Sequence, residues 1–242
     1  MKKIVLLILF LIPALFAQDE PLSDYPFGGG GGFIAAWTIP AVDALNAQLK
    51  SFGTDNISTG GFFSSGGAGF FYPAIIPNLR IGGIGFSGVA TAEGMNNGDF
   101  VEARYHYSLG GLTVEYTLPF TRAVAISIGG IFGAGEKKIE LFRNKGGFDW
   151  GSIWNEASSV SGNASSQHRT LTSVFFAVTP TLNIDIPLHR FIALRLGAGY
   201  SLAFGDDTWK GDNDKTVANV PKDLHGRAFF AHAGIFFGFF SF

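Results

Sequence analysis

The sequence contains no cysteine, which removes several kinds of chemistry at once. Disulfide bonds and thiol chemistry are excluded, and so is a lipid anchor carried on a cysteine. Charged side chains make up only 15% of the 242 residues, and the formal net charge is -2. Because proteins that bind nucleic acid present a basic face, this balance argues against nucleic acid as a partner.

The sequence also lacks an uninterrupted apolar run that favours a membrane-spanning helix. Residues 57–78 carry no charge and are long enough to span, but they include five glycines and two prolines. In a helix interior, glycine costs about 1 kcal/mol and proline about 3 kcal/mol. The charge-poor segments 123–135 and 228–242 are likewise interrupted by glycine. A chain that spans a membrane without helices has to close into a β-barrel, because only then do all its backbone N–H and C=O groups have hydrogen-bond partners.

What the sequence does contain begins with a typical secretory signal. Two lysines precede the apolar stretch 4–12, and Ala17 is a small residue at the expected cleavage point. The alternative is a retained anchor helix, for which this stretch is short. We therefore predict a signal peptide at residues 1–17 and one domain at residues 18–242. Apolar residues reach 47%, which argues against a disordered domain.

Alternation of apolar and polar residues indicates strands at 124–132, 174–186 and 191–204. In the last segment, one face is bulky and apolar, whereas the other carries Arg195 among alanine, glycine and serine. The bulky face has almost no charge, so we expect it to face lipid and the small face to line the lumen. A soluble barrel would show the opposite arrangement, with large apolar residues inside and charged residues outside.

Three turns share the pattern P-x-x-R. Proline ends ladder pairing and opens a turn, and the following arginine is expected to reach the headgroup zone beside the strand that it starts. The alternative is three unrelated turns built from common residues. If the turns share one interface, they are the short periplasmic turns of a barrel. The motifs begin at Pro77, Pro119 and Pro187 and end at Arg80, Arg122 and Arg190.

Counting across these turns predicts an all-β fold, an antiparallel transmembrane β-barrel of eight strands with longer external loops. We expect a helix-like stretch at 42–52 in the first external connection and long loops at 142–168 and 206–226. A ten-stranded barrel with a hairpin inside the first long loop is the alternative. A parity shift at Gly110-Gly111 is interpreted as a β-bulge, or else as a further turn. The predicted strands are 29–39, 60–73, 79–93, 99–118, 122–138, 169–186, 190–205 and 227–242.

Four charged residues are candidates for the lumen. Glu115 and Arg195 are predicted to project inward at similar depth and to pair in a narrow lumen. The pair either plugs or gates the barrel, or it only neutralises buried charge. Glu102 and Arg104, which share a parity with His106, either line the external mouth or stand in water above the membrane.

The last strand ends in phenylalanines of one parity, at Phe236, Phe240 and Phe242. We expect them to face outward together with His232. In its signal, strand pattern and aromatic C-terminus, the chain resembles the small outer-membrane barrels of the OmpA-barrel, OmpX and OmpW class, without matching one subfamily. The resemblance implies the outer membrane of a Gram-negative cell, contact with its lipids, and recognition of these phenylalanines by the barrel assembly machinery. The same parity would turn Phe237 and Phe239 inward.

Other polar clusters have weaker signatures. The aspartates of the second long loop do not match the spacing of an EF-hand, so we expect solvated side chains and no metal or cofactor. A histidine, serines and an acid in the first long loop lack a nucleophile elbow, so we expect no catalysis. The loop tryptophans are expected in an aromatic belt at the membrane interface, or else against a partner or sugar. These residues are Asp206, Asp207, Asp212 and Asp214; Glu156, Ser165, Ser166 and His168; and Trp150, Trp154 and Trp209.

The predicted function is a structural or surface-interaction role in the outer membrane. An eight-stranded barrel is just wide enough for side chains to fill, which excludes a general porin. A narrow channel for small or apolar solutes is the alternative, followed by an enzyme that modifies lipids. The sequence identifies no ligand for the external loops.

Overall fold

In a computed structural model, which describes residues 27–73, 75–119, 124–144, 166–221 and 223–241, the chain forms a closed antiparallel β-barrel. The barrel has eight strands in sequence order, and the first strand pairs with the last. The predicted eight-stranded barrel is therefore confirmed, since the ladder closes without further strands. The strands are β1 (Phe27–Pro40), β2 (Phe62–Phe71), β3 (Leu79–Asn96), β4 (Asp99–Thr117), β5 (Ala125–Asn144), β6 (Ser166–His189), β7 (Ile192–Phe204) and β8 (Ala228–Ser241), and one helix, α1 (Asp43–Phe52), follows β1.

The four middle strands are longer than the other four. The β5–β6 ladder continues to the pair Asn144 and Ser166, so both ends of the predicted 142–168 loop are strand. The β3–β4 ladder likewise continues to Asn96 and Asp99. The sequence signal for these extensions is weak because their outward residues become charged where the strands leave the apolar band. The barrel therefore has a tall wall, β3–β6, and a low wall, β7, β8, β1 and β2.

The predicted β-bulge at Gly110-Gly111 is wrong. Both glycines lie in unbroken register with β3 on one side and β5 on the other, and neither starts a turn. The odd-numbered residues of β4 face inward along its whole length, from Val101 to Thr117. The apparent parity shift arose because the inward side chains change from aromatic at one end to polar at the other.

The outward face of the barrel is a band of large apolar side chains. Phe176 is 72% exposed and Leu112 is 65% exposed, although both lie at the centre of a paired strand. Side chains of this kind on all eight strands are stable only against lipid, so the barrel spans a membrane. The band includes Phe33, Trp37, Phe63, Phe71, Val89, Leu112, Val114, Ile128, Phe132, Phe176, Leu182, Leu196, Ile235 and Phe237.

The helix-like stretch predicted at 42–52 is α1. Its buried residues Leu45 and Leu49 turn toward the barrel mouth. The side chain of Asn46 fixes the returning chain, because it donates to the carbonyl of Ile57 at 2.9 Å and accepts from its N–H at 2.8 Å. Gly53 ends the helix with φ of 100°, a left-handed conformation that glycine adopts without strain. α1 therefore lies against the barrel mouth.

Among the residues that the structure describes, no helix has the length and apolar character needed to cross a membrane.

Candidate functional site

The lumen near the short turns contains a network of four buried charges, which we call the lower network: Arg80, Glu115, Asp185 and Arg195. Arg80 donates to Asp185 at 2.5 Å and also to Glu115. Arg195 donates through Nε to Asp185 at 2.7 Å, and its Nη2 lies 3.4 Å from Glu115 Oε2. Each guanidinium thus contacts both carboxylates, and the network carries no net charge.

The strand register brings these four residues together as two pairs. Arg80 lies opposite Glu115 in the β3–β4 ladder, and Asp185 lies opposite Arg195 in the β6–β7 ladder. The two pairs are joined across the lumen by Arg80 with Asp185 and by Arg195 with Glu115. Ser127 of β5 supports the first pair, because it donates to Glu115 at 3.2 Å and accepts from Arg80. All members are at most 4% exposed. The network is therefore a layer across the lumen to which no loop contributes.

Aromatic rings cover the lower network. Phe70 lies between the two arginines, with its centroid 4.3 Å from Arg80 Cζ and 4.5 Å from Arg195 Cζ. Phe236 packs on Arg195 at 5.1 Å, and Phe240 packs on Phe70 at 6.0 Å. Cation–π contacts in a desolvated site are worth about 2 kcal/mol. The rings therefore both stabilise the guanidinium groups and fill the remaining cross-section.

A glycine provides the space that the lower network needs. Gly129 lies opposite Glu115 in the β4–β5 ladder. A Cβ atom at Gly129 would lie 2.8 Å from Glu115 Cγ and 2.2 Å from the carbonyl oxygen of Val114. A larger residue there would displace the carboxylate, so this inward glycine is part of the site.

Above the lower network, the lumen is filled by aromatic side chains. The rings of Phe86 and Phe230 lie 4.9 Å apart, and those of Tyr107 and Phe175 lie 5.7 Å apart. Within the described part of the chain, the buried hydroxyl of Thr179 and both ring nitrogens of His232 have no hydrogen-bond partner. Ordered water is the usual partner of such groups.

At the external end, a second buried charge holds the β7–β8 loop in place. We call this arrangement the upper latch: Lys137 of β5 with Asp206, Leu224 and Gly226 of the loop. Lys137 Nζ donates to the carbonyl of Leu224 at 2.6 Å and to Asp206 Oδ2 at 3.3 Å. The same carboxylate oxygen accepts from the N–H of Gly226 at 2.5 Å. The loop is therefore drawn across the mouth by one lysine.

Two carboxyls of this loop, Asp206 and Asp212, have local partners. Burial raises the pKa of Asp206, but the N–H of Gly226 and the charge of Lys137 outweigh it, so the pKa lies below its usual value. The hydrogen bond from Arg169 at 2.8 Å and the N–H of Thr170 lower the pKa of Asp212. Among the described residues, no group of three or more His, Asp or Glu side chains is placed to hold a metal.

The expected interface position of Trp209 is wrong. Its side chain is only 3% exposed and lies under the loop, with its ring centroid 5.0 Å from Lys137 Nζ. The loop pairs with the barrel through the bridge between Thr172 and Lys210 next to it. Trp209 is therefore turned inward by a non-local contact, which composition does not show. Trp150 and Trp154 lie outside the described residues.

The sequence identified half of the lower network. Glu115 and Arg195 point inward and form an ion pair, as predicted. Asp185 lies in the predicted strand 174–186 but was given no partner. Arg80 was assigned to the headgroup zone, and this is wrong: the fully buried side chain faces the lumen, because residue 80 is an inward position of β3. The signal that finds Arg80 is its cross-strand pairing with Glu115.

Of the other two P-x-x-R arginines, Arg190 lies at a turn. The hairpins after Pro77, Pro119 and Pro187 join β2–β3, β4–β5 and β6–β7 at one end of the barrel. Arg190 is exposed and its Cζ lies 4.9 Å from the ring of Phe191. Arg122 lies outside the described residues. An arginine of this motif is therefore buried in the lumen when it occupies an inward strand position, as Arg80 does, and is exposed when it lies in the turn, as Arg190 does.

Glu102 and Arg104 were candidates for the external mouth of the lumen or for water above the membrane, and both are outward. Arg104 is 44% exposed and donates to Glu102 at 2.5 Å on the outer surface of the tall wall. Its guanidinium lies 4.9 Å from the ring of Phe142. The lumen at this height is filled instead by Tyr105 and Tyr107. The lumen-facing alternative is therefore wrong, and the structure agrees with the other, because these strands extend beyond the lipid-facing band, where outward side chains are charged.

The predicted outward direction of Phe236 and Phe240 is also wrong. Both are buried in the lumen with His232, whereas Phe237 is 61% exposed. The error is a shift of one residue, which exchanges the two faces of a strand. Phenylalanine occurs at both parities of β8, so alternation does not fix its register, and the ladders with β1 and β7 do. Phe242 lies outside the described residues.

Comparisons with known proteins find likeness at the level of solved structures. No protein-family model matches the chain, and the search of curated proteins finds no match. Ail, the attachment invasion locus protein of Yersinia pestis, is 11% identical, with 90% of this chain and 100% of that chain covered and a TM-score of 0.39. A major outer membrane protein from Thermus thermophilus is 11% identical, with coverages of 87% and 99% and a TM-score of 0.42.

A closed barrel of paired antiparallel strands with a lipid-facing apolar band is the architecture of outer-membrane proteins. Both features are present in the described residues, in the ladder that joins β1 to β8 and in the exposed phenylalanines of its outer face. The chain is therefore an outer-membrane β-barrel.

Proposed function

We propose that this barrel does not conduct solutes and serves a structural or surface-interaction role in the outer membrane. The observation that carries the proposal is the lower network, a layer of two arginines and two carboxylates across the lumen. The aromatic rings above it and the latched loop at the mouth support the same conclusion. A solute would have to displace all three.

A narrow channel is the alternative, and it requires the lower network to open. Each arginine is bound to two carboxylates, so opening one path leaves charges unpaired in a site that is at most 4% exposed. Breaking a buried ion pair costs about 3–5 kcal/mol. That cost corresponds to an open fraction below about one in a hundred. The geometry therefore favours a closed resting state.

The tall wall supports the surface-interaction role. Above the apolar band, its outer face carries charges of both signs on a rigid ladder. His106 Nε2 lies 2.7 Å from Glu140 Oε2, and Lys138 donates to the other oxygen at 3.1 Å. Arg104 lies opposite Glu140 in the same ladder. Because these side chains stand outside the lumen and beyond the lipid-facing band, they are available to a partner on the external side.

An enzymatic role has less support in the described residues. The ring of His168 stacks on Phe142 with centroids 4.4 Å apart, and its Nε2 lies 3.3 Å from Thr170 Oγ1. A catalytic histidine is instead oriented by an acid and aimed at a nucleophile. Of the other candidates in that loop, Ser165 and Glu156 lie outside the described residues, and Ser166 is the first residue of β6.

Conductance of the purified barrel tests the proposal. We expect no current steps from the wild-type protein in planar lipid bilayers and no solute flux in liposomes. The matched variants are Glu115→Gln and Asp185→Asn, which keep shape but remove charge from the lower network. Steady wild-type current would replace the proposal with the narrow channel. Unchanged stability and unchanged current in both variants would show that the network does not seal the lumen.

A further inference from the structure

A small pocket lies between the β7–β8 loop and the wall of the barrel at the external mouth. Side chains from three parts of the fold line it: Leu45 of α1, Tyr105 of β4 with Lys137 and Ile139 of β5, and Trp209 and His225 of the loop. Its volume is about 10 Å³, which is room for about one water molecule. The size of the pocket therefore limits its occupant to a single small molecule.

Lys137 does not supply the binding group of this pocket. Its ammonium group already donates to the carbonyl of Leu224 at 2.6 Å and to the carboxylate and the carbonyl of Asp206 at 3.3 and 3.4 Å. An ammonium group has three N–H donors, so none remains for a further acceptor. Its positive charge also repels a cation. A neutral occupant is therefore favoured over an ion.

Trp209 supplies a donor on the loop side of the pocket. Only 3% of the residue is exposed, and among the described residues its Nε1 has no hydrogen-bond partner. A buried indole N–H usually has an acceptor, and leaving it without one destabilises the fold. The occupant of the pocket should therefore be a hydrogen-bond acceptor.

Tyr105 lines the pocket from the barrel wall. It is only 4% exposed, and its hydroxyl can both donate and accept a hydrogen bond. A buried water molecule usually makes about three hydrogen bonds to polar groups. The indole of Trp209, the hydroxyl of Tyr105 and the imidazole of His225 provide that number of partners around the pocket.

We propose that this pocket binds one water molecule, which joins the β7–β8 loop to the barrel wall. The water accepts from Trp209 Nε1 and donates to the hydroxyl oxygen of Tyr105, and His225 completes its hydrogen bonds. The bridge adds to the direct bonds of Lys137, so the loop is attached in two ways. The proposal does not depend on whether the lumen conducts solutes.

Water contacts of the indole signals in the 15N-labelled protein provide a direct test. In detergent micelles, we expect a cross-relaxation peak between water and the Nε1–H of Trp209, assigned through its own backbone. The sign of the peak in the rotating frame distinguishes a bound water from proton exchange. Trp37 is the matched indole, because its Nε1 donates to the carbonyl of Gly60 at 2.7 Å, and its peak should be absent or much weaker. No water peak at Trp209, or an equal peak at Trp37, would overturn the proposal.

The rate of loop opening tests whether the water is a bridge. Limited proteolysis within the loop should be about three- to tenfold faster in Trp209→Phe and in Tyr105→Phe, because each variant loses one hydrogen bond to the water. The double variant should be cleaved no faster than the faster single variant, since both changes break the same bridge. Multiplied effects in the double variant would overturn the bridge.

Tyr107→Phe is the matched control for the hydroxyl. Tyr107 donates directly to the carbonyl of Gly226 at 3.2 Å, so the effect of its loss should multiply with that of Trp209→Phe. If Trp209→Phe fails to assemble, Tyr105→Phe decides, because it should weaken the water peak of Trp209 whereas Tyr107→Phe should not. An unchanged water peak in Tyr105→Phe would then overturn the bridge.

Discussion

The two ends of the lumen are closed by buried charges in different ways. In the lower network, both arginines and both carboxylates are on strands, and the ladders fix their positions. In the upper latch, only Lys137 is on a strand, and its partners belong to a loop. The first seal is therefore as stable as the barrel, whereas the second opens when the loop moves. On the proposed function, this difference makes the lower network a permanent closure and the upper latch a releasable one.

The largest expected effect is the loss of Arg80. Arg80→Met leaves Glu115 and Asp185 with Arg195 as the only cation of the lower network, and it removes the contact with Phe70. Removing one partner of a buried ion pair costs about 3–5 kcal/mol. We expect a loss of this size in the free energy of unfolding, measured by urea denaturation of the folded barrel.

Arg190→Met is the matched control for that change, because Arg190 follows the same motif but is exposed at a turn. Its effect should stay within about 0.5 kcal/mol, as for other surface substitutions. Equal losses in the two variants would mean that the lower network contributes no more than a turn does, and the contrast between the two ends of the lumen would fail.

A smaller effect is expected at the glycine opposite Glu115. In Gly129→Ala, the new methyl group meets both Glu115 and the backbone of the neighbouring strand. Overpacking of this kind costs about 1–3 kcal/mol. The control is Gly85→Ala on the outer face, where an added Cβ finds nothing within 4 Å. Comparison of the unfolding midpoints in urea measures the difference, and equal midpoints would show that space in the lumen is not limiting.

The upper latch should respond locally. Asp206→Asn removes the charge that faces Lys137 but leaves the strands untouched. We expect the free energy of loop opening to fall by about 1–3 kcal/mol, so that the loop opens more often. The unfolding midpoint of the barrel should barely change. Limited proteolysis after Lys210 or Lys215 measures loop opening, and Asp207→Asn is the control. A large fall in barrel stability would show that the latch is as integral to the fold as the lower network.

The fold was more predictable than the site for a physical reason. Strand number and the lipid-facing side follow from local alternation and from the proline turns, and these signals lie within each segment. Arg80, by contrast, has a role only through its partners on β4 and β6. In β4, Glu102 and Arg104 are outward but charged, because they lie beyond the lipid-facing band. Their pattern is therefore the same as that of polar side chains that face the lumen. In β8, phenylalanines at both parities made the register depend on the neighbouring strands.

The loop contacts were unpredictable for a related reason. Lys137 meets Leu224 across 87 positions of the chain, and it meets Asp206 across 69. Nothing in the composition of either segment marks such a pair. The need for glycine at position 129 was unpredictable for the same reason, since it depends on Glu115, the residue that lies opposite it in the ladder.

The smallest expected effect is an acid response confined to the upper latch. The folded-state pKa of Asp206 is lowered, so its contribution to stability is present above the unfolded value of about 4 and is lost as pH falls through the lower folded value. Acid should therefore open the loop before it unfolds the barrel. The indole signal of Trp209, which packs on Lys137, reports the opening during a titration. Asp206→Asn should flatten that profile, leaving the contribution of Asp212, a half-buried carboxyl of the same loop. An unchanged profile in this variant would place the acid-sensitive group elsewhere and remove the distinction between a releasable and a permanent seal.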